Sequence, residues 1–133
     1  TREVDAFLKL TRFTIGTPAG SCPYIVNIEH RIYKEHGVDY NVLQILESLI
    51  LINVAPLGEH SIISDKRGLP AEITYDGSKT IVSNPNGTSI PLGLVKFTIP
   101  GIELSAICSG RPDIPNFKVY FEEQFVIKGL NVK

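Results

Sequence analysis

The chain has 133 residues, 43% of them hydrophobic and 20% charged, with a formal net charge of -1. This ordinary globular composition holds enough apolar material for one domain over residues 1–133, and a charge so near zero gives no global attraction to nucleic acid or an anionic membrane. No apolar run is long enough to span a bilayer, and the chain begins at Thr1 without any Met, which fits a processed form or a piece of something longer.

Phe7 to Ile15 is β-prone and reads as a strand, with a short helix over Val4 to Leu10 as the alternative; Gly16, Thr17, Pro18 and Gly20 end it. Cys22 to Tyr33 alternates, Tyr24, Val26, Ile28, His30 and Ile32 sharing one face, as in a half-buried strand. The stretch DYNVLQILESLILIN, Asp39 to Asn53, is the convincing helix. Asp39 suits the N-cap, Val42, Leu43, Ile45, Leu46, Leu49, Ile50 and Ile52 recur at helical spacing, and Pro56 and Gly58 follow as breakers.

After the helix, His60 to Ser64 reads as a short strand, Asp65-Lys66-Arg67-Gly68 as a polar turn, and Leu69 to Tyr75 as a strand closed by Asp76-Gly77. Lys79 to Ser83 is β-prone, and Asn84-Pro85-Asn86-Gly87 turns the chain. Ile90 to Ile99 is extended but interrupted by Pro91 and Gly93, the mark of an edge or a bulge. Pro100-Gly101 is placed to reverse a hairpin between Phe97 to Ile99 and Ile102 to Cys108. Arg111 to Pro115 is a loop, and Phe117 to Ile127 alternates as a final strand. The pattern predicts an α+β domain, a mainly antiparallel β-sheet packed against one central α-helix.

Cys22 and Cys108 read either as a disulfide or as two buried thiols; a bridge would restrict the unfolded chain by about 4 kcal/mol in the entropy model. The sequon Asn86-Gly87-Thr88 makes Asn86 a candidate glycosylation site and, with the absent Met, points to secretion.

Three histidines each follow a glutamate, at Glu29-His30, Glu35-His36 and Glu59-His60. Strand neighbours point to opposite faces, so the first and third pairs do not form acid–base dyads. No two-His helical motif, Gly-x-Ser-x-Gly elbow or phosphate-cradling glycine loop is present, so no catalytic residue, metal site or cofactor is assigned.

The order SCPYIV, then DYNVLQILESLILIN, then strands, then LVKFTIPGIELSAICSG resembles the secreted ribonuclease-like effectors of powdery mildew fungi. The likeness covers Cys22 to Cys108 and leaves out Thr1 to Ser21 and Ser109 to Lys133; here Tyr24 follows Cys22, whereas the family's tyrosine precedes its cysteine. The resemblance implies one helix against a curved sheet and a mostly non-catalytic protein, secreted or delivered into a host cell, that binds host proteins, immune receptors or RNA.

The expected function is thus a secreted non-enzymatic binding protein acting through protein contacts, with Asp65, Lys66, Arg67, Arg111 and Asp113 as contact surface. RNA is the weaker partner class. Two alternatives differ in kind. A ribonuclease or other small hydrolase would need His30, His36 or His60 to converge with a carboxylate and Arg67 or Arg111. A structural module, such as a virion projection, would be an oligomer.

Overall fold

A computed structural model of the chain describes residues 1–55, 59–108 and 114–133. It begins with a helix, α1 (Arg2–Thr11), where a strand from Phe7 was expected. Thr1 caps it, its hydroxyl accepting from the Val4 N–H at 3.2 Å, and Glu3 and Asp5 sit at the positive end of the dipole. Ala6, Phe7 and Leu10 are buried, a helical spacing that outweighs the local β propensity. The alternative helix over Val4 to Leu10 is therefore the one that forms, extended at both ends. The extended chain starts only with β1 (Thr14–Thr17), which forms a hairpin with β2 (Gly20–Pro23).

The long strand expected over Cys22 to Tyr33 is not formed beyond Pro23. The Glu29 N–H turns back to Asn27 Oδ1 at 3.1 Å, and His30 Nδ1 accepts from the Ile32 N–H at 3.1 Å to start the one-turn helix α2 (Arg31–Lys34). Local side-chain to backbone bonds thus displace the ladder that the alternation suggested.

Helix α3 (Tyr40–Ser48) starts where the sequence places it, with Asp39 Oδ1 accepting from the Val42 N–H at 3.0 Å. It stops short of Asn53. Ile50 adopts φ 60, and the N–H groups of Ile50 and Leu51 return to the carbonyls of Glu47 and Leu46, a Schellman ending. The last residues of the expected helix become β3 (Ile52–Val54).

The middle of the chain is β as read: β4 (His60–Ile63), β5 (Ala71–Tyr75), β6 (Ser78–Ser83), β7 (Ser89–Gly93) and β8 (Val95–Phe97). Asp76 and Gly77 join β5 to β6 with φ 49 and 79, the left-handed pair that a two-residue hairpin loop requires.

The expected hairpin about Pro100-Gly101 is instead helix α4 (Ile99–Ile107), because Thr98 caps it and proline fits a first turn, where no N–H is needed. The final strand is likewise replaced by helix α5 (Phe117–Ile127), followed by the short β9 (Asn131–Val132).

All strand pairs are antiparallel: a five-stranded sheet in the order β2-β1-β5-β6-β9, and two ribbons, β3 with β8 and β4 with β7. The domain is therefore mixed α and β with antiparallel sheets, but five helices among the described residues replace the single central one. Core support falls to α5 more than to α3. Its Phe117 ring lies 5.1 Å from Phe13 and 5.0 Å from Tyr75, and its Phe125 ring lies 5.3 Å from Tyr24. Edge-to-face and tilted contacts of this kind each contribute about 0.5–1.5 kcal/mol beyond burial. No described helix is long and apolar enough to cross a membrane.

Candidate functional site

The expected contact turn after β4 is joined to the turn that carries Asn86. The Ser64 N–H donates to Thr88 O at 2.8 Å and the Gly68 N–H to Gly87 O at 3.2 Å, which ties the 65–68 turn to the 84–88 turn. Within them the Ser64 hydroxyl reaches Lys66 O at 3.1 Å, and Asn84 Oδ1 accepts from the Asn86 N–H at 3.0 Å. Asp65, Lys66, Arg67 and the sequon residue Asn86 are all exposed on this platform. Arg111 and Asp113 lie outside the described residues.

The platform ends strand β4, and β4 has an open edge. Ile62 lies opposite Ile90, Ile63 opposite Ser89 and Ser61 opposite Pro91. Because Ser64 bonds Thr88, the alternation of an antiparallel ladder gives the next bonded pair to Ile62 and Ile90. The N–H and C=O groups of Ser61 and Ile63 then point away from β7. Pro91 has no N–H to offer Ser61, which agrees with this register. Among the described residues no other strand pairs with β4.

Against β4 lies a groove of about 270 Å³, lined by Ile62 and Ile63 with Pro18, Leu69 and Pro70, by Ile90 from β7, and by Asp65. Ile63 is 78% exposed and Leu69 47% exposed. The wall facing β4 includes Pro18 and Pro70, which have no N–H to donate. The groove could not be read from the sequence, since Pro18, β4 and Leu69 meet only in the fold; exposed Ile63 just before a polar turn was the one local signal.

The catalytic alternatives find little support in the geometry. His30 Nδ1 accepts from the Ile32 N–H, and His36 Nδ1 donates to the Ile32 carbonyl at 3.0 Å, so the two rings brace one backbone unit with opposite tautomers. His30 also packs on Tyr120, ring centres 4.6 Å apart. Glu59 is ion-paired with Lys128, whereas His60 Nε2 is buried with no partner among the described residues. Among the described residues no cluster of His, Cys, Asp or Glu is placed to hold a metal ion. Burial first, and the neighbouring Tyr120 second, push the hydroxyls of Tyr24 and Tyr33 well above the usual tyrosine pKa. They remain neutral: Tyr33 donates to Tyr24 O at 2.8 Å, while the Tyr24 hydroxyl is buried with no partner among the described residues.

The bridge expected between Cys22 and Cys108 is not formed; both are free thiols. Cys22 is buried between β2 and β8, its Sγ donating to Pro23 O at 3.2 Å and Val95 O at 3.4 Å. Cys108 caps the C-terminus of α4 and lines a separate apolar groove with Val4, Leu8, Leu49 and Leu104. The two thiols belong to different surroundings. Helix α4 itself leaves Ile99 and Ile107 largely exposed, but no feature beside it specifies an occupant.

No protein-family model, no curated protein and no solved structure matches this chain.

Proposed function

We propose that the chain is a non-enzymatic binding protein that receives an extended segment of a partner protein on the open edge of β4. One observation carries this reading: the register turns the backbone groups of Ser61 and Ile63 away from β7, toward an edge that no other described strand covers, while Ile62 and Ile63 of the same strand line an apolar groove. An added strand would gain main-chain hydrogen bonds from these two residues and place alternate side chains against Ile62, Leu69 and Pro70. Natural edge strands are usually blunted by lysine, proline, a bulge or a cover; β4 carries no lysine or proline over Ser61 to Ile63, and its irregularity falls before Ile62, between His60 and Ser61.

Exposed Asn86 on the adjoining turn supports a secretory route, and toward a host cell the protein would then act as an effector through protein contact. The free thiols give that route no help.

The test is titration of the isotopically labelled protein with pooled short peptides that alternate β-branched and polar residues. Amide signals of Ser61 and Ile63 should move, and Ile63→Pro, which removes the outward N–H, should abolish the shift; Ile63→Lys provides a second block that leaves the backbone intact. Peptides that leave those amides unmoved would exclude the reading.

A further inference from the structure

We infer that the segment received by β4 carries a carboxylate just beyond its paired residues, held by Lys66 and Arg67. The inference rests on the β4 docking reading and adds the chemistry of the ligand. Both cations are exposed on the turn that follows β4, next in the chain to Ser64 and Asp65, which line the groove. The four ion pairs among the described residues are Arg31–Glu35, Lys34–Glu29, Lys79–Glu72 and Lys128–Glu59, so neither Lys66 nor Arg67 has an acidic partner there.

The turn that carries them is fixed. Ser64 Oγ donates to Lys66 O at 3.1 Å, the Leu69 N–H returns to Lys66 O at 3.4 Å, and Gly68, at φ 74, donates to Gly87 O at 3.2 Å. A cation pair on a braced turn loses less freedom on binding than one on a loose loop, and a guanidinium donates to both oxygens of a carboxylate in a two-pronged geometry. Asp65, at the mouth of the groove, opposes an incoming carboxylate. The platform nonetheless carries two positive charges against one negative, and its net attraction is for an anion. The ligand is therefore an extended segment with alternating apolar side chains followed by Asp, Glu or a free C-terminus. It has no need of a positively charged residue.

The experiment compares three peptide pools that share one alternating core and end in aspartates, in asparagines or in lysines. The aspartate pool should bind about five- to tenfold more tightly than the asparagine pool at low salt, and the advantage should fade as salt is raised. Lys66→Ala with Arg67→Ala should abolish the difference while leaving the asparagine pool unchanged, and Asp65→Asn should strengthen aspartate binding. Equal binding of aspartate and asparagine pools at the Ser61 and Ile63 amides would overturn the carboxylate inference and leave the docking reading standing. Preference for lysine ends would overturn it also. Displacement of the aspartate pool by a short RNA acting at Lys66 and Arg67 without touching β4 would assign the cations to phosphate instead. Silence from all three pools would remove both readings.

Discussion

The hydroxyl of Thr98 donates to the carbonyl of Ile50 at 2.6 Å. The same oxygen accepts from the Gly101 N–H at 3.1 Å, so one side chain caps α4 and fastens it to the end of α3. Thr98→Val keeps the shape but removes both bonds. It should cost about 1–3 kcal/mol, read from urea unfolding, because a cap is lost and the Ile50 carbonyl loses a partner. An unchanged midpoint would show that water replaces the hydroxyl without loss.

Ile50 itself carries strain. A β-branched residue at φ 60 occupies the position after a helix that glycine usually takes, and its side chain is 68% exposed, so packing offers little in return. Ile50→Gly should raise stability by about 0.5–1 kcal/mol, relief of strain exceeding the added freedom of the unfolded chain. A loss of stability would mean that the Ile50 side chain makes contacts that matter more than its backbone.

The thiols should behave unequally. Burial pushes Cys22 up to about 12, and its Sγ is engaged by two carbonyls, whereas Cys108 is only half-buried. Iodoacetamide at neutral pH should modify Cys108 in the native protein and spare Cys22 until the protein unfolds, since the thiolate is the reactive form. Intact mass should not change on adding reductant. A mass gain on reduction, or protection of both thiols until reductant is added, would reinstate a bridge.

Where reading from sequence fails here, the reason is local. In α5, Phe117, Phe121 and Phe125 stand four apart, a spacing that shares a face both on a strand and on a helix. The residues that separate the two cases are Val119 and Ile127, exposed although a strand would bury them, and Tyr120, buried although a strand would expose it. Asp39 and Asp76-Gly77 were legible because a cap and a left-handed turn need only a few residues. The far end of α3 was not, because an isoleucine fills the left-handed position where glycine would have announced the stop. Of the contact surface, the 65–68 turn could be read from its polar residues. The groove that gives the turn a use required Pro18 and Leu69 to be brought to β4 by the fold.

Two neighbouring tyrosines separate a buried hydroxyl that works from one that does not. Tyr33 donates to Tyr24 O at 2.8 Å, but the Tyr24 hydroxyl, on a fully buried side chain, has no partner among the described residues. Tyr33→Phe should therefore cost about 1 kcal/mol, and Tyr24→Phe should be neutral or stabilising at neutral pH, because it removes an unpaired polar group from the core. The same residues set an alkaline limit. Cys22, Tyr24 and Tyr33 all have folded pKa values raised by burial, so the folded state keeps protons that the unfolded chain releases. Stability from these groups is fully present below the ordinary thiol value of 9.0 and falls as pH rises through about 12, with the tyrosines joining above their ordinary value of 10.0. Urea midpoints should fall steadily above about pH 9, and the fall should be shallower in Tyr24→Phe than in the parent chain. Equal alkaline slopes in both proteins would show that Tyr24 ionises in the folded state as easily as in the unfolded one.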